Sequence, residues 1–264
     1  MPDTDQPALL AASNLLAAHW RDGTHTDALP PDLRPRSRAD AYAIQALIER
    51  GGMGRRRGWK IAATSAAGQQ HINVDGPLAG RLLADRIVPL GTPVALKANR
   101  MRVAEVEFVF RMGRSLPPAS TPYTVDAVVE AVSDLLLGVE VPDSRFTDVT
   151  AVGEAQLIAD NACADRFELG PVVTAPWRDA DLAAHAVRGS AGGRVHEGRG
   201  GNVLGDPRIA LAWLVNELSR NGITLNEAEI VTTGTCVVPL PVNPGDTLTA
   251  EYGALGAMQV RFGD

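Results

Sequence analysis

The chain has 264 residues, 45% hydrophobic and 21% charged, with a net charge of −6; it is long enough for one large domain or two modest ones, and it lacks the basic surplus that nucleic acid or an anionic membrane surface attracts. Its two cysteines, Cys163 and Cys236, form neither a disulfide framework nor a zinc spacing, and the acidic start Met1-Pro-Asp-Thr-Asp5 is unlike a secretory signal, so a reduced, cytoplasmic protein is expected. No apolar run approaches the ~20 residues of a membrane span.

The Ala- and Leu-rich stretch Ala8–Arg21 predicts a helix, followed by a polar, proline-containing segment from Asp22 to Arg36. Ser37-Arg-Ala-Asp40 resembles a capping box that opens a second helix, running to about Arg50 and stopped by Gly51-Gly52. The basic triplet Arg55-Arg56-Arg57 reads as a solvated loop. Short Val-rich runs between Pro and Gly then predict strands at Trp59–Thr64, Pro93–Leu96, Val103–Met112, Leu135–Val141, Val172–Val173, Glu229–Val231 and Thr247–Tyr252. Two helices interrupt them. One follows Thr124, with Val125, Val128, Val129 and Val132 on one face, and one runs from Asp206-Pro207 to Asn221-Gly222, with Pro and Gly where helix ends favour them. Strands and helices do not alternate regularly. The expected fold is therefore α+β, a β-rich mixed core over residues 56–264 behind an N-terminal helical segment, residues 1–55.

In Val103-Ala-Glu-Val-Glu-Phe-Val-Phe110, strand alternation sends Ala104, Val106, Phe108 and Phe110 to one side and Val103, Glu105, Glu107 and Val109 to the other. Both faces are apolar except for two neighbouring glutamates. In Leu135–Val141, Glu140 interrupts a second apolar strand, and Gly138 on its face leaves room beside it. Buried carboxylates repel one another and are costly to ionise, and a divalent cation with oxygen ligands resolves both problems. The alternative is an edge strand with its glutamates in solvent.

Lys60 lies inside the apolar run Gly58-Trp-Lys-Ile-Ala-Ala-Thr-Ser65, with Ala62 and Thr64 on its face. Beside a metal site it would pair with an anionic substrate or, with a lowered pKa, move a proton; otherwise its stem packs and its amine reaches water. Thr232-Thr-Gly-Thr-Cys236 either offers hydroxyls and amides to a carboxylate or forms a simple turn. Gly198–Gly205 is glycine-rich without a phosphate-binding fingerprint, His71 reads as a surface residue, and Asp160-Asn161 as a pair that ties loops together.

Taken together these segments resemble the 2-keto-4-pentenoate hydratase and 2-oxo-hexenedioate decarboxylase group of the fumarylacetoacetase superfamily. The matching pieces include Gly58-Trp-Lys-Ile, Thr64-Ser65, Val74-Asp75, Ala104-Glu-Val-Glu107, Val139-Glu-Val-Pro-Asp-Ser-Arg145, Ala159-Asp-Asn-Ala162, Val203-Leu-Gly-Asp-Pro207 and Thr233-Gly234, in the family's order. The resemblance implies the superfamily's fumarylacetoacetase C-terminal core, a homo-oligomer, and a Mg²⁺ or Mn²⁺ ion held by Glu105, Glu107 and Glu140. It implies Lys60 as the catalytic residue, Thr64, Ser65 and Thr233 as substrate-binding residues, and a small 2-oxo acid as substrate. The implied activity is a lyase that adds water to a 2-hydroxy-2,4-dienoate, the metal stabilising the enolate at C2. The alternative is decarboxylation of a 2-oxo-hexenedioate, and third come a C–C hydrolase or a non-catalytic partner subunit. The hydratase pattern has an acid soon after Val-Asp. Here Val74-Asp-Gly-Pro-Leu-Ala-Gly80 carries Leu78 in its place and Ala79 for an aromatic, with Asp75 the remaining acid nearby.

Overall fold

A computed structural model describes residues 6–49 and 54–264, so the predicted helix end at Arg50 and the Gly51-Gly52 stop lie outside the described residues. In chain order the elements are helices α1 (Gln6–Asp22) and α2 (Arg38–Leu47), strand β1 (Arg56–Ala62), helix α3 (Ala66–His71), and strands β2 (Leu78–Leu83), β3 (Ile87–Val88), β4 (Val94–Ala95) and β5 (Val103–Met112). Then come α4 (Val125–Val129), β6 (Val132–Val141), α5 (Glu154–Ala159), β7 (Arg166–Val172), β8 (Ala186–Ala191), β9 (Arg194–Arg199) and α6 (Pro207–Arg220). Strands β10 (Ile230–Thr235), β11 (Leu240–Pro241), β12 (Thr247–Glu251) and β13 (Ala257–Gly263) complete the chain.

The larger sheet has the order β2-β1-β10-β5-β6-β7-β3, with β11 added to β5, and it curls into a half-barrel. The second has the order β4-β13-β12-β8-β9. They pack through the apolar face of β5 foreseen from alternation: Ala104, Val106, Phe108 and Phe110 belong to the main core with Val187, Leu248 and Val260. Phe108 meets the Tyr252 ring at 5.2 Å, and the Tyr252 hydroxyl donates across to the Glu107 carbonyl at 2.8 Å. The other face of β5 contributes Val109 to a smaller cluster with Leu82, Leu136, Phe167 and Ile230. That face is the concave side of the half-barrel and holds the candidate site.

The N-terminal helices are stitched to this core. Ser37 caps α2 by accepting from the Asp40 amide, as its sequence predicts. Gln45, fully buried, donates to the carbonyls of Ala79 and Ile158, and Trp20 donates to Asp165 at 2.9 Å. Asp206 caps α6, with Pro207 in its first turn.

Several local expectations change. The helix after Thr124 is a single turn, and Val132 opens β6, because its side chain is claimed by the sheet core. Arg56 is in β1 rather than a loop, bonded to Glu229 at 2.6 Å and stacked on Trp59. Thr232–Thr235 continues the strand expected to end at Val231. Gly138 does not leave open space beside Glu140, because the Phe167 ring and Val109 fill it: a Cβ at Gly138 would lie 2.5 Å from Phe167 Cζ and 2.7 Å from Val109 Cγ2. Neither neighbour has a flexible end to move away, so Gly138→Ala should destabilise the protein by about 1–3 kcal/mol, read as a lower urea midpoint with an unchanged slope. A midpoint within error of the parent would show that the ring can shift.

Candidate active site

Three strands bring the candidate residues together. β5 and β6 are antiparallel with Glu105 directly opposite Glu140 and Glu107 opposite Gly138. Like charges in directly opposed positions destabilise a sheet unless something compensates them. Carboxylate oxygens of Glu105, Glu107 and Glu140 all lie within 4.8 Å of one another. Glu107 and Glu140 are 0% and 1% exposed, whereas Glu105 is only half-buried. The alternative of an edge strand with Glu105 and Glu107 in solvent therefore fails: β5 lies between β10 and β6, and Glu107 is sealed from water.

Lys60 comes from β1, which pairs with β10 at Thr232 and with β2 at Gly80. The curl of the sheet carries its ammonium over β10 and β5 to Glu140 Oε1, 2.9 Å away. Nζ also donates to the Ala162 carbonyl at 2.9 Å. The lysine is 2% exposed, so its amine does not reach water. Burial alone would lower its pKa, but Glu140 and Glu105 outweigh it and push the ammonium up to about 12. The lowered pKa considered from sequence is thus replaced by a raised one, and Lys60 is a fixed cation.

One ammonium does not balance three carboxylates. Burial, then the neighbouring Glu140, raise Glu105 to about 7, with Lys60 pulling the other way. Burial, Glu140 and Glu105 raise Glu107 well above the usual carboxylate range, against the Gly234 amide, which donates to Glu107 Oε2 at 2.8 Å. Burial likewise raises Glu140 against the pull of Lys60. Glu107 Oε1 and Glu140 Oε2 are buried with no hydrogen-bond partner, and Glu140 Oε1 has only its ion pair with Lys60. Buried acceptors left this way are costly. Hard oxygen donors, clustered and unsatisfied, fit a Mg²⁺ or Mn²⁺ ion.

The other predicted site residues are placed as follows. Thr64 is buried just beyond β1 and packs against Gly234, where a Cβ would lie 2.1 Å from Thr64 Oγ1. Ser65 caps α3, its Oγ accepting from the Gly68 amide at 3.1 Å. Thr233 is fully buried and donates its hydroxyl to the Phe108 carbonyl at 3.0 Å. Both possibilities for the Thr-Gly-Thr run were open, and its Gly234 amide does meet a carboxylate, the protein's own Glu107. Leu78 is 0% exposed and lies opposite Ala62, on the same face as Lys60; Asp75 is exposed. Sequence reasoning missed the Ala162 carbonyl, since a main-chain acceptor has no side-chain signature. Asp160-Asn161 does tie loops together: Asp160 accepts from Ser144 and Arg145, and Asn161 bonds the backbone of Arg81. His71 is exposed.

Residues 69–262 match the fumarylacetoacetate (FAA) hydrolase C-terminal family. The chain is 32% identical over 258 residues to 2-keto-4-pentenoate hydratase 1 of Dechloromonas aromatica (strain RCB), covering 96% of each. It is 31% identical over 228 residues to 4-oxalocrotonate decarboxylase of Pseudomonas putida, covering 85% of each. Its fold matches the structure of 4-oxalocrotonate decarboxylase from Pseudomonas putida G7, complexed with magnesium and adipate, with a TM-score of 0.86 and 27% identity over 96% of this chain and 97% of that one. No helix among the described residues is long and apolar enough to cross a membrane.

Two outcomes are expected. Glu107→Gln should weaken Mn²⁺ binding in calorimetry by more than the ~10–100-fold typical of outer-sphere changes, and unchanged binding would remove Glu107 from the ligand set. The second concerns pH. Glu105 ionises at about 7 in the folded, metal-free chain against 4.5 ordinarily. A raised carboxyl favours folding below its ordinary pKa, and that contribution is lost as pH climbs through the folded value. Chelator-treated protein should therefore lose melting temperature between about pH 4.5 and 7, and Mg²⁺ should restore more of it at pH 8 than at pH 5. Equal restoration at both would contradict the site.

Proposed function

The chain belongs to the fumarylacetoacetate hydrolase C-terminal family, in its hydratase and decarboxylase group, and we propose that it is a divalent-metal-dependent hydratase that adds water to a 2-hydroxy-2,4-dienoate to give a 4-hydroxy-2-oxo acid. The observation that carries this reading is the convergence of three buried or half-buried glutamates on one lysine, with carboxylate oxygens left unpartnered. Glu105, Glu107 and Glu140 would hold Mg²⁺ or Mn²⁺. When bound, such an ion supplies Lewis-acid stabilisation of the negative charge that develops at the substrate's C2 oxygen.

The chain's own groups define the rest. With Glu107 and Glu140 sealed, the half-exposed Glu105 marks the side from which a small 2-oxo acid enters. The Lys60 ammonium has three N–H donors. Two are directed to Glu140 and Ala162, and the third is assigned to the substrate's anionic head. Its raised pKa keeps it charged, which suits it to pair with negative charge on the substrate rather than to take up a proton. Thr64 and Ser65 are assigned to the substrate carboxylate. The Ser65 hydroxyl proton stays free while its oxygen caps α3, whereas Thr233, having donated to Phe108, has only lone pairs to offer.

A second reading, decarboxylation of a 2-oxo-hexenedioate, draws on Leu78. A fully buried leucine on the lysine's face offers nothing to orient water, and decarboxylation needs the same electron sink without it. One assay separates the two. With Mg²⁺ and a panel of C5–C7 2-oxo acids, a hydratase bleaches the dienoate's ultraviolet absorbance without gas, and a decarboxylase releases one CO₂ per turnover. Neither signal across the panel would defeat both readings. Lys60→Ala should lower kcat by about 100-fold or more while changing Mn²⁺ affinity far less; equal losses would show Lys60 to be part of the scaffold only.

A further inference from the structure

Just before β7 the backbone does something that L-residues avoid. Asn161, Ala162 and Cys163 follow one another in the left-handed region, at φ 58°, 51° and 59°. None is a glycine. Such a run persists only where its surroundings over-determine it, and here they do. On its N-terminal side, the Asp160 carboxylate accepts from Ser144 Oγ at 2.7 Å and from the Arg145 amide at 3.0 Å, and its carbonyl accepts from the Arg145 guanidinium. On its C-terminal side, the Cys163 carbonyl accepts from the Asp143 amide at 2.9 Å, and the Ala164 carbonyl from Arg145 Nη1 at 2.9 Å. In the middle, the fully buried Asn161 side chain accepts from the Arg81 amide at 2.6 Å and donates to the Arg81 carbonyl at 2.9 Å. It binds β2 as a neighbouring strand would.

The clamp falls beside the lysine. Arg81 follows Gly80, which lies opposite Lys60 in the β1–β2 register. A Cβ at Gly80 would stand 2.5 Å from the Asn161 carbonyl oxygen and 2.9 Å from Lys60 Cγ and Cδ. The turn is thus pressed onto the lysine stem through a position that only glycine can occupy. The acceptor it delivers is the Ala162 carbonyl, 2.9 Å from Nζ.

We infer that the left-handed turn Asn161–Cys163 is a positioning device for Lys60, with Asn161 as its positioning residue. It gives the ammonium a neutral acceptor in addition to the glutamates. Without that acceptor the ammonium settles further into the carboxylates and competes with a cation for the lone pairs of Glu140. With it, Glu140 is shared between the two. This rests on the reading of Lys60 and the glutamates given under Proposed function.

The test is a double-mutant cycle on full-length protein, read by Mn²⁺ calorimetry alongside steady-state kinetics. Asn161→Gly keeps the left-handed backbone accessible and removes only the clamp. It should weaken Mn²⁺ binding by about tenfold and lower kcat more than it raises KM. In a Lys60→Met background the same change should alter Mn²⁺ affinity by less than about twofold, because the turn would act through the lysine. A full loss in that background, or no loss in the parent, would overturn the inference. Should Asn161→Gly fail to fold, Asn161→Asp, which keeps the acceptor for the Arg81 amide, carries the same cycle. A parent protein that binds no Mn²⁺ would refute the metal reading, and the turn is then judged by the ¹⁵N NMR signal of the Lys60 ammonium in metal-free protein. Asn161→Gly should shift or broaden that signal, and an unchanged signal would overturn the inference by itself.

Discussion

The concave face of the half-barrel carries a charge imbalance that the surrounding structure is arranged to hold. Glu105 and Glu140 stand directly opposite each other in adjacent strands, Glu107 is two residues along, and Lys60 is the one ammonium among the described residues that reaches them. Left alone, such a cluster would protonate or force the strands apart. A register that opposes two glutamates makes sense when a cation joins them. The same imbalance accounts for the Gly234 amide on Glu107, which adds a positive dipole where a side-chain donor is missing.

Rigidity comes from behind. The reverse face of β5 is packed with Val106, Phe108 and Phe110, all 0% exposed, and the second sheet closes over it. The Tyr252 hydroxyl reaches the main-chain carbonyls of Glu107 and Gly138, on the two strands that carry the glutamates. A cation site whose ligands come from neighbouring strands is as precise as the spacing of those strands, and this hydroxyl joins them from the rear. Phe167, lying over Gly138, supplies an apolar floor on the site side. That floor keeps water from weakening the electrostatics there.

The glutamates were legible because they break an apolar alternation that β5 and β6 otherwise keep. Lys60 was legible for the same reason in β1. The ends of α6 were legible from Asp206-Pro207 and Gly222, which carry their own backbone preferences. Other parts were hidden for identifiable reasons. β2 reads Leu78-Ala-Gly-Arg-Leu-Leu83 and is buried at every position, so it has no alternation to see. β8 and β9 are rich in Gly and Arg and depend on pairing with each other and with β12. Val132 fitted the periodicity of the preceding helix, and only the sheet's demand for it decided otherwise. The direction of the Lys60 pKa shift followed from distances to Glu140 and Glu105, which no spacing in the chain reveals. Nor does composition announce that Asn161, Ala162 and Cys163 adopt positive φ.

Asn161 has one further consequence. β2 is the last strand of the larger sheet on its side, and an open strand edge invites other chains to pair with it. By bonding both main-chain groups of Arg81, the asparagine occupies part of that edge, and Gln45 occupies the Ala79 carbonyl next to it. At the opposite end the sheet finishes in the two-residue β3, followed by Pro89, which offers little to recruit. The residue that places the lysine therefore also closes main-chain groups of the sheet's last strand, so one side chain serves both the site and the edge of the sheet.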